Sequence, residues 1–511
     1  MHAHVFREYD IRGKVGTEFI LEEVYPVTRA IAAFFLQQNP RLQTVVVAWD
    51  GRVHSEYIKT EVTRALYDSG LTVVLIGLCP TPVMYFALHY HKEQYDAGIM
   101  ITASHNGPEY NGLKINLGTR SVWGKDIQEI YSLYQHKADS QKAIDLKRPF
   151  ALSKRSASNF RVPCHRMGGN GYERPSASKD LININKARQD ALIGAYDIQD
   201  IYLNWLADHF KHLRGSDIAV IFDCASGATG PLMQRLIDRM EWDNARLLHA
   251  TIDGTFLHHE ADPTVEKNME DLRTQVQMHQ AALGIGFDGD GDRMAPITQE
   301  GILVYGDQLL TIFAQSILNQ GLKSRSPKKI VYDIKCSQMV ADTIVRYHGT
   351  PIVSPSGHAV IKNALRNNKA VLAGELSCHF FFADRYFGYD DGIYAALRLL
   401  ELLQERSLSL QELYDTLPRM YSMPEARIVC AELDKKAIIE RVHYYFAHDS
   451  SYDLLLLDGV RVQTPHGWGI IRASNTQAVL SMRCESTTQE GLQHMQRLFD
   501  DALKYAMEKN L

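Results

Sequence analysis

Short apolar runs that stop at a polar loop and then give way to an amphipathic helix recur along this chain. That rhythm restricts most of it to layered α/β units. Thr44-Val-Val-Val-Ala-Trp49 reads as a buried strand ending at Asp50-Gly51, and residues 55–69 follow with Ile58, Val62, Ala65 and Leu66 on one side, as in a helix. Leu71-Thr-Val-Val-Leu-Ile76 and residues 98–102 complete a βαβ sequence. The rhythm restarts at Asp217-Ile-Ala-Val-Ile-Phe222 and at Lys329-Ile-Val-Tyr-Asp333, the latter leading into a helix predicted over 337–348. After Pro418 and Pro424 it changes to strand, helix, strand, a turn at Asp458-Gly459, strand and a closing helix over 489–504, the pattern of an α+β domain. The expected fold is therefore α/β, with three similar mixed α/β domains followed by a C-terminal α+β domain. At 511 residues the chain exceeds a single core, and roughly three or four domains fit its length. The expected boundaries are 1–150, a linker over 151–194, then 195–299, 300–418 and 419–511.

Composition removes several function classes. The net charge of −5 is small for this length and argues against a general nucleic-acid-binding surface. No run of about 18 apolar residues predicts a membrane span, and Met1-His-Ala-His-Val-Phe-Arg-Glu-Tyr-Asp10 lacks the apolar centre of a signal peptide. Seven cysteines stand singly, without metal-finger spacing, which fits a reduced, cytoplasmic protein. Residues 152–188 are rich in Ser, Asn, Arg and Gly, locally basic, and poor in apolar periodicity. They read as a surface insertion dispensable for chemistry, with a specific anionic partner as the alternative.

Two loops carry the strongest chemical signal. Gly98-Ile-Met-Ile-Thr-Ala-Ser-His-Asn106 ends an apolar run in a small polar turn that presents Ser104. Ala281-Ala-Leu-Gly-Ile-Gly-Phe287 ends in Asp288-Gly-Asp-Gly-Asp-Arg293. Residues i, i+2 and i+4 of an extended segment share a side, so Asp288, Asp290 and Asp292 can converge on one hard cation such as Mg²⁺. An EF-hand needs Gly at its sixth position and Glu at its twelfth, where this loop has Arg293 and Gln299. Ser104 has two readings. As a hydrolase nucleophile it lacks the G-x-S-x-G elbow, and the adjacent His105 is poorly placed to activate it. As a phosphoryl carrier it needs a metal loop such as the acidic one. Lys114 lies close in sequence as a source of positive charge or a proton.

Two further segments read as ligand contacts. In Gly374-Glu-Leu-Ser-Cys-His379, Glu375 and Ser377 share a side and suit sugar hydroxyls. Near the C-terminus, Arg472, Ser474, Asn475 and Thr476, with Arg483 following, read as a phosphate cradle.

These segments, in this order and spacing, resemble the α-D-phosphohexomutase superfamily, and in particular the bacterial phosphomannomutase/phosphoglucomutase family, over nearly the whole chain. Phe6-Arg-Glu-Tyr-Asp-Ile-Arg-Gly13 and Phe387-Gly-Tyr-Asp-Asp-Gly392 are similar to two more of its motifs. The resemblance implies four domains around a central cleft, the fourth rotating over the substrate. It implies a mutase that interconverts hexose 6-phosphate and hexose 1-phosphate, of mannose or glucose. Ser104 would rest as phosphoserine, and a hexose 1,6-bisphosphate would serve as intermediate and activator. Mg²⁺ would sit among Ser104, Asp288, Asp290 and Asp292. Arg12, His105, Lys114 and His358 become candidates for proton transfer and charge stabilisation. Tyr9 and Arg293 would line the cleft, Glu375 and Ser377 would hold sugar hydroxyls, and the 472–476 loop would hold the non-reacting phosphate. The partners would be small sugar phosphates, with no nucleic acid or membrane, and the protein would be a monomer or dimer.

The sequence departs from the family pattern at Gly107, where Pro is usual, at Pro355, where Lys is common, at Cys378, where Gly is usual, and at Gln477-Ala478. These bear on substrate preference and rate. The competing readings are a phosphoglucosamine mutase, against which Ser474-Asn-Thr476 argues, a non-catalytic sugar-phosphate-binding paralogue, and a phosphatase with a leaky cleft.

Overall fold

The structure, a computed structural model, describes residues 1–139, 193–195, 197–319, 327–431, 434–474 and 479–508. The 152–188 segment lies outside them, as do Asn475 and Thr476. Four sheets organise the described residues. The first runs in the order Ile11–Lys14, Tyr110–Leu117, Ala97–Ile101, Thr44–Trp49, Thr72–Leu78 and Ile193–Ala195, with Arg120–Ser121 beside Tyr110–Leu117. The strand Ile193–Ala195, at the end of the expected linker, pairs in parallel with Thr72–Leu78 and so extends the first sheet.

The three α/β sheets share one device. In each, a strand of the parallel set ends in a functional loop and the chain returns as an antiparallel neighbour. Ala97–Ile101 returns as Tyr110–Leu117 around the Ser104 turn. Leu283–Phe287 returns as Met294–Thr298 around the three aspartates. Leu372–Gly374 returns as Phe380–Phe382 around Glu375 and Ser377. Each return brings the backbone through a left-handed residue: Ser104 at φ 53°, Gly291 at φ 71° and Cys378 at φ 66°. Cys378 thus carries a Cβ at a conformation that favours glycine, which gives its departure from the family pattern a backbone consequence.

Packing joins the first three domains into a block. A single apolar cluster runs from Val46, Tyr85 and Phe86 through Leu206 and Phe222 to Phe313, Phe382 and Leu399. The last domain has its own core between a sheet and two helices, built from Ile438, Val442, Phe446, Val462, Leu480, Met495 and Phe499. Its apolar link to the block is small, comprising Ile334, Trp468 and Ile470. A polar seam completes it: Arg461 stacks 3.7 Å from the Trp468 ring and donates to the Ile334 carbonyl, while Glu485 accepts from Ser337 Oγ at 2.9 Å. A separate core with a narrow polar seam is the construction of a domain that moves as a unit.

The block also contains a buried acid just behind the acidic loop, next to Gly392, whose N–H donates to the Gly291 carbonyl at 3.1 Å. Asp391 caps the helix Gly392–Arg406 by accepting from Tyr394 N at 2.9 Å, and it accepts from Tyr202 and Tyr386 hydroxyls at 2.9 and 2.7 Å. Burial pushes its carboxyl up to about 6 despite those donors. The folded state therefore holds this proton more tightly than the unfolded chain, and the stability Asp391 contributes declines as pH rises from about 4 to 6. The Tm of the wild type minus that of Asp391→Asn should accordingly fall over this window and level off above it. A difference independent of pH would contradict the assignment.

Candidate active site

Ser104 is set by its backbone as much as by its side chain. It is 2% exposed, it adopts φ 53°, and its N–H donates to Thr102 Oγ1 at 2.8 Å. A non-glycine residue in that region costs roughly 1–2 kcal/mol and is held there only by its surroundings. Those surroundings include Arg52, whose fully buried guanidinium donates to the carbonyls of Ser104, Asn106, Gly107 and Tyr110 at 2.7, 2.5, 2.6 and 3.1 Å. Asp50 pairs with Arg52 at 3.1 Å, and the Phe256 ring lies 5.0 Å away. Gly289 brings the metal loop alongside, because a Cβ there would meet the Ser104 carbonyl at 2.7 Å.

The serine hydroxyl donates to Asp288 Oδ2 at 2.9 Å. His105 Nδ1 lies 3.3 Å away, a long contact for a hydroxyl and an imidazole. Asp288, Asp290 and Asp292 are fully buried, and one ligand oxygen from each lies within 4.8 Å of the others. Lys114 Nζ pairs with Asp290 at 2.8 Å and with Asp292. Burial opposes its charge, but the two aspartates raise its pKa well beyond the ordinary lysine value. Asp288 is pushed up by burial and by Asp292 and Asp290, whereas Asp292, although buried, is held down by Lys114 and His379. Asp290 Oδ1 is buried and has no hydrogen-bond partner among the described residues. An oxygen-only donor set with an unpartnered carboxylate oxygen fits a hard divalent cation.

The remaining candidates fall into three groups. Around the acidic loop, Arg12 pairs with Asp10 and donates to Asn106 Oδ1 at 2.8 Å, and Arg293 Nε lies 3.8 Å from Asp288. His105 is held neutral by burial and by the guanidinium groups of Arg293 and Arg12.

In the third domain, Glu375 accepts from Gly357 N at 2.7 Å, and Ser377 Oγ lies 3.1 Å from His379 Nδ1. His358, at the start of its helix, lies 3.4 Å from Asp390, and burial with Lys362 lowers its pKa.

A chain of contacts then reaches the last domain. Tyr9 donates to the Ser356 carbonyl at 2.5 Å, Ser356 N donates to Asp458 at 3.1 Å, and Asp458 accepts from Arg472 Nε at 3.0 Å. Ser474 stands at the end of that strand, its carbonyl accepting from Lys435 Nζ at 2.7 Å. Arg483 is placed elsewhere: it donates to Asp307 at 2.9 Å and to the Lys335 carbonyl at 2.7 Å, within the seam between the third and fourth domains.

Sequence reasoning missed two residues that the structure puts at the centre. His379 lies 3.2 Å from Asp292 and 2.9 Å from Glu375. Burial and Arg293 oppose its protonation, yet the two carboxylates raise it to about 9, so it stands as an imidazolium between the metal and sugar loops. Its place two residues after Ser377 and four after Glu375 was the available signal. Arg52 carried no such signal, since nothing in an Asp-Gly-Arg turn indicates four carbonyls from another loop.

Arg52→Lys should retain charge opposite Asp50 but lose the fork that fixes the Ser104 turn. The expected result is a kcat lowered about 10²-fold with KM little changed, since small misplacement of a reacting group costs about that much. A variant whose KM rises while kcat holds would contradict a positioning role.

A serine beside three buried carboxylates, flanked by an ammonium and an imidazolium, is suited to phosphoryl transfer, which depends on positioning and charge neutralisation. The chain belongs to the phosphoglucomutase/phosphomannomutase family. Models of its alpha/beta/alpha domains I, II and III match residues 3–141, 200–301 and 305–421, and that of its C-terminal domain matches 425–502. A phosphomannomutase/phosphoglucomutase of Pseudomonas syringae pv. tomato is 34% identical over 98% of this chain and 95% of its own. A phosphoglucomutase of Neisseria meningitidis serogroup A is 32% identical over 97% and 95%. The crystal structure of a phosphoglucomutase/phosphomannomutase family protein from Burkholderia thailandensis superposes with a TM-score of 0.80 at 29% identity, covering 99% of this chain and 98% of that one. Among the described residues no helix is long and apolar enough to cross a membrane. Cys79, Cys224, Cys336, Cys378 and Cys484 are buried and free.

Proposed function

We propose that this chain is a phosphohexomutase acting on the monophosphates of glucose and mannose, with Ser104 as phosphoryl carrier. The observation that carries the reading is the hydroxyl of Ser104 bonded to Asp288 at 2.9 Å inside the buried carboxylate group. Asp288, Asp290 and Asp292, with phosphorylated Ser104, would hold Mg²⁺, which would neutralise charge on the phosphoryl oxygens. In the forward step a bond from phosphorus to a free sugar hydroxyl forms as the Ser104 Oγ–P bond breaks, and the leaving Oγ takes up a proton, for which Lys114 is the candidate donor, to restore the serine hydroxyl. The hydroxyl proton passes to a neutral base, for which His105 and His358 are the candidates. The resulting hexose 1,6-bisphosphate then returns its other phosphoryl group to Ser104. Lys114 and His379 keep positive charge beside the transferring group, and Glu375 and Ser377 accept from sugar hydroxyls. The last domain, with Arg472, Ser474, Asn475 and Thr476, would hold the phosphate that does not react. Its closure would exclude water that otherwise hydrolyses the phosphoserine. Arg483 serves this reading through the seam on which that domain turns.

A coupled assay with glucose 1-phosphate and mannose 1-phosphate, with and without a trace of the bisphosphate, tests the proposal. Turnover stimulated by the bisphosphate is expected with both sugars. Release of inorganic phosphate without isomerisation would favour a phosphatase instead.

Pro355 supplies a further test. It is half-buried between Ser354, which donates to its carbonyl at 3.1 Å, and Ser356, which is bonded to Asp333 at 2.5 Å. Proline offers no side-chain donor, and a charge-assisted hydrogen bond is worth about 1.5–3 kcal/mol. Pro355→Lys should lower KM for both sugars about tenfold with little change in their ratio. An unchanged KM in a folded variant would show that the substrate is held another way.

A further inference from the structure

Outside this site, the second domain gathers a different donor set. Asp223 is the last residue of the parallel strand Val220–Asp223, and it is 1% exposed. Its Oδ1 accepts from Ala225 N at 2.8 Å, and its Oδ2 faces His259 Nε2 at 3.0 Å. His259 Nδ1 lies 2.9 Å from the Glu260 carbonyl, so that nitrogen donates and Nε2 is aimed at the carboxylate. His249, which follows the strand Ala245–Leu248, stands edge-on to the His259 ring with centroids 5.2 Å apart, and its Nε2 meets Asp271 at 3.2 Å. His258 stacks on His249 at 4.0 Å. One ligand atom from each of Asp223, His249 and His259 lies within 4.8 Å of the others.

We propose that Asp223, His249 and His259 form a second divalent-metal site, of the zinc class, which clamps the 249–262 loop of the second domain. Two imidazoles and one carboxylate with an open fourth position suit Zn²⁺ or Co²⁺ and are a poor match for Mg²⁺. The outer contacts are those that orient metal-binding imidazoles: a backbone carbonyl on His259 and a carboxylate on His249. On binding, the ion replaces the proton that joins His259 Nε2 to Asp223, and that proton is released. The clamped loop is the one that carries Phe256 onto Arg52, and a Cβ at Gly254 would lie 2.9 Å from the Arg52 Cα. The ion would therefore stiffen the support of the Ser104 turn without touching substrate.

The full-length protein, held in excess Mg²⁺ to occupy the carboxylate site, is titrated with Co²⁺ and then with Zn²⁺. The expected result is visible absorption from one tetrahedral Co²⁺, bleached by Zn²⁺, with a rise in Tm on Zn²⁺ addition. The absorption should persist in Asp290→Asn. Both signals should weaken in His249→Gln and in His259→Gln, with affinity lowered by more than about tenfold. Absence of the absorption in the wild type, its loss in Asp290→Asn, or equal affinity in the histidine variants would overturn the site. Binding without a rise in Tm would overturn the clamp.

Discussion

Ser104→Ala should abolish mutase turnover, lowering kcat by at least about 10³-fold, because removing a covalent carrier leaves only binding and electrostatics. The change deletes one oxygen from a residue that is held by Arg52 and Thr102 through its backbone, so the turn should keep its shape. Hexose phosphate binding, read by calorimetry, should remain measurable. The substitution also removes the hydrogen bond to Asp288, whose carboxyl is already pushed up by burial and by its neighbours. A folded Ser104→Ala protein with normal bisphosphate-stimulated turnover would exclude Ser104 as the carrier.

Asp290→Asn should produce the next largest loss. Asparagine is isosteric and retains an oxygen for Thr81 and Lys114, which meet Asp290 Oδ2 at 2.5 and 2.8 Å. What disappears is one negative charge beside the unpartnered Oδ1. The Mg²⁺ concentration for half-activation should rise markedly, and kcat at saturating metal should fall at least about 10²-fold, as expected when a metal that stabilises transition-state charge is displaced. Two effects on the fold oppose each other: one like charge beside Asp288 is relieved, while buried Lys114 keeps Asp292 as its charged partner and only an amide oxygen at position 290. The protein should therefore stay folded in metal-free buffer, so that the loss of activity is read on a native chain. An unaltered metal-activation curve would remove Asp290 from the ligand set.

How far these features were legible in the sequence follows from the kind of interaction behind each. The strand Thr44–Trp49 and the helix Ser55–Asp68 were readable because a short continuous apolar run and a one-sided apolar stripe are both local patterns. The Ser104 turn and the acidic loop were readable because polar groups that follow directly on a buried strand are costly without a purpose. That both loops, and the one at Glu375, are the same parallel-to-antiparallel return was hidden, since pairing partners lie outside any short window. The strand Ile193–Ala195 was hidden for the same reason. Arg483 looked like a phosphate ligand by its place after the 472–476 loop, yet the register pairs it with Ile470, two residues back from Arg472 on the same face, where it meets Asp307 in the seam. His379 and Arg52 owe their environments to side chains and carbonyls from other loops, which only the folded chain assembles.

The claim on which the rest depends is that Ser104 carries the phosphoryl group through the reaction. It is tested most directly by single-turnover transfer. Enzyme labelled with ³²P from a labelled bisphosphate is freed of small molecules, mixed with excess glucose 6-phosphate, and quenched at times shorter than one turnover. The account predicts that label leaves Ser104 and appears in hexose 1,6-bisphosphate at a rate at least equal to kcat, with none taken up by Ser104→Ala. Label that stays on the protein while product accumulates, or that leaves only as inorganic phosphate, would contradict it.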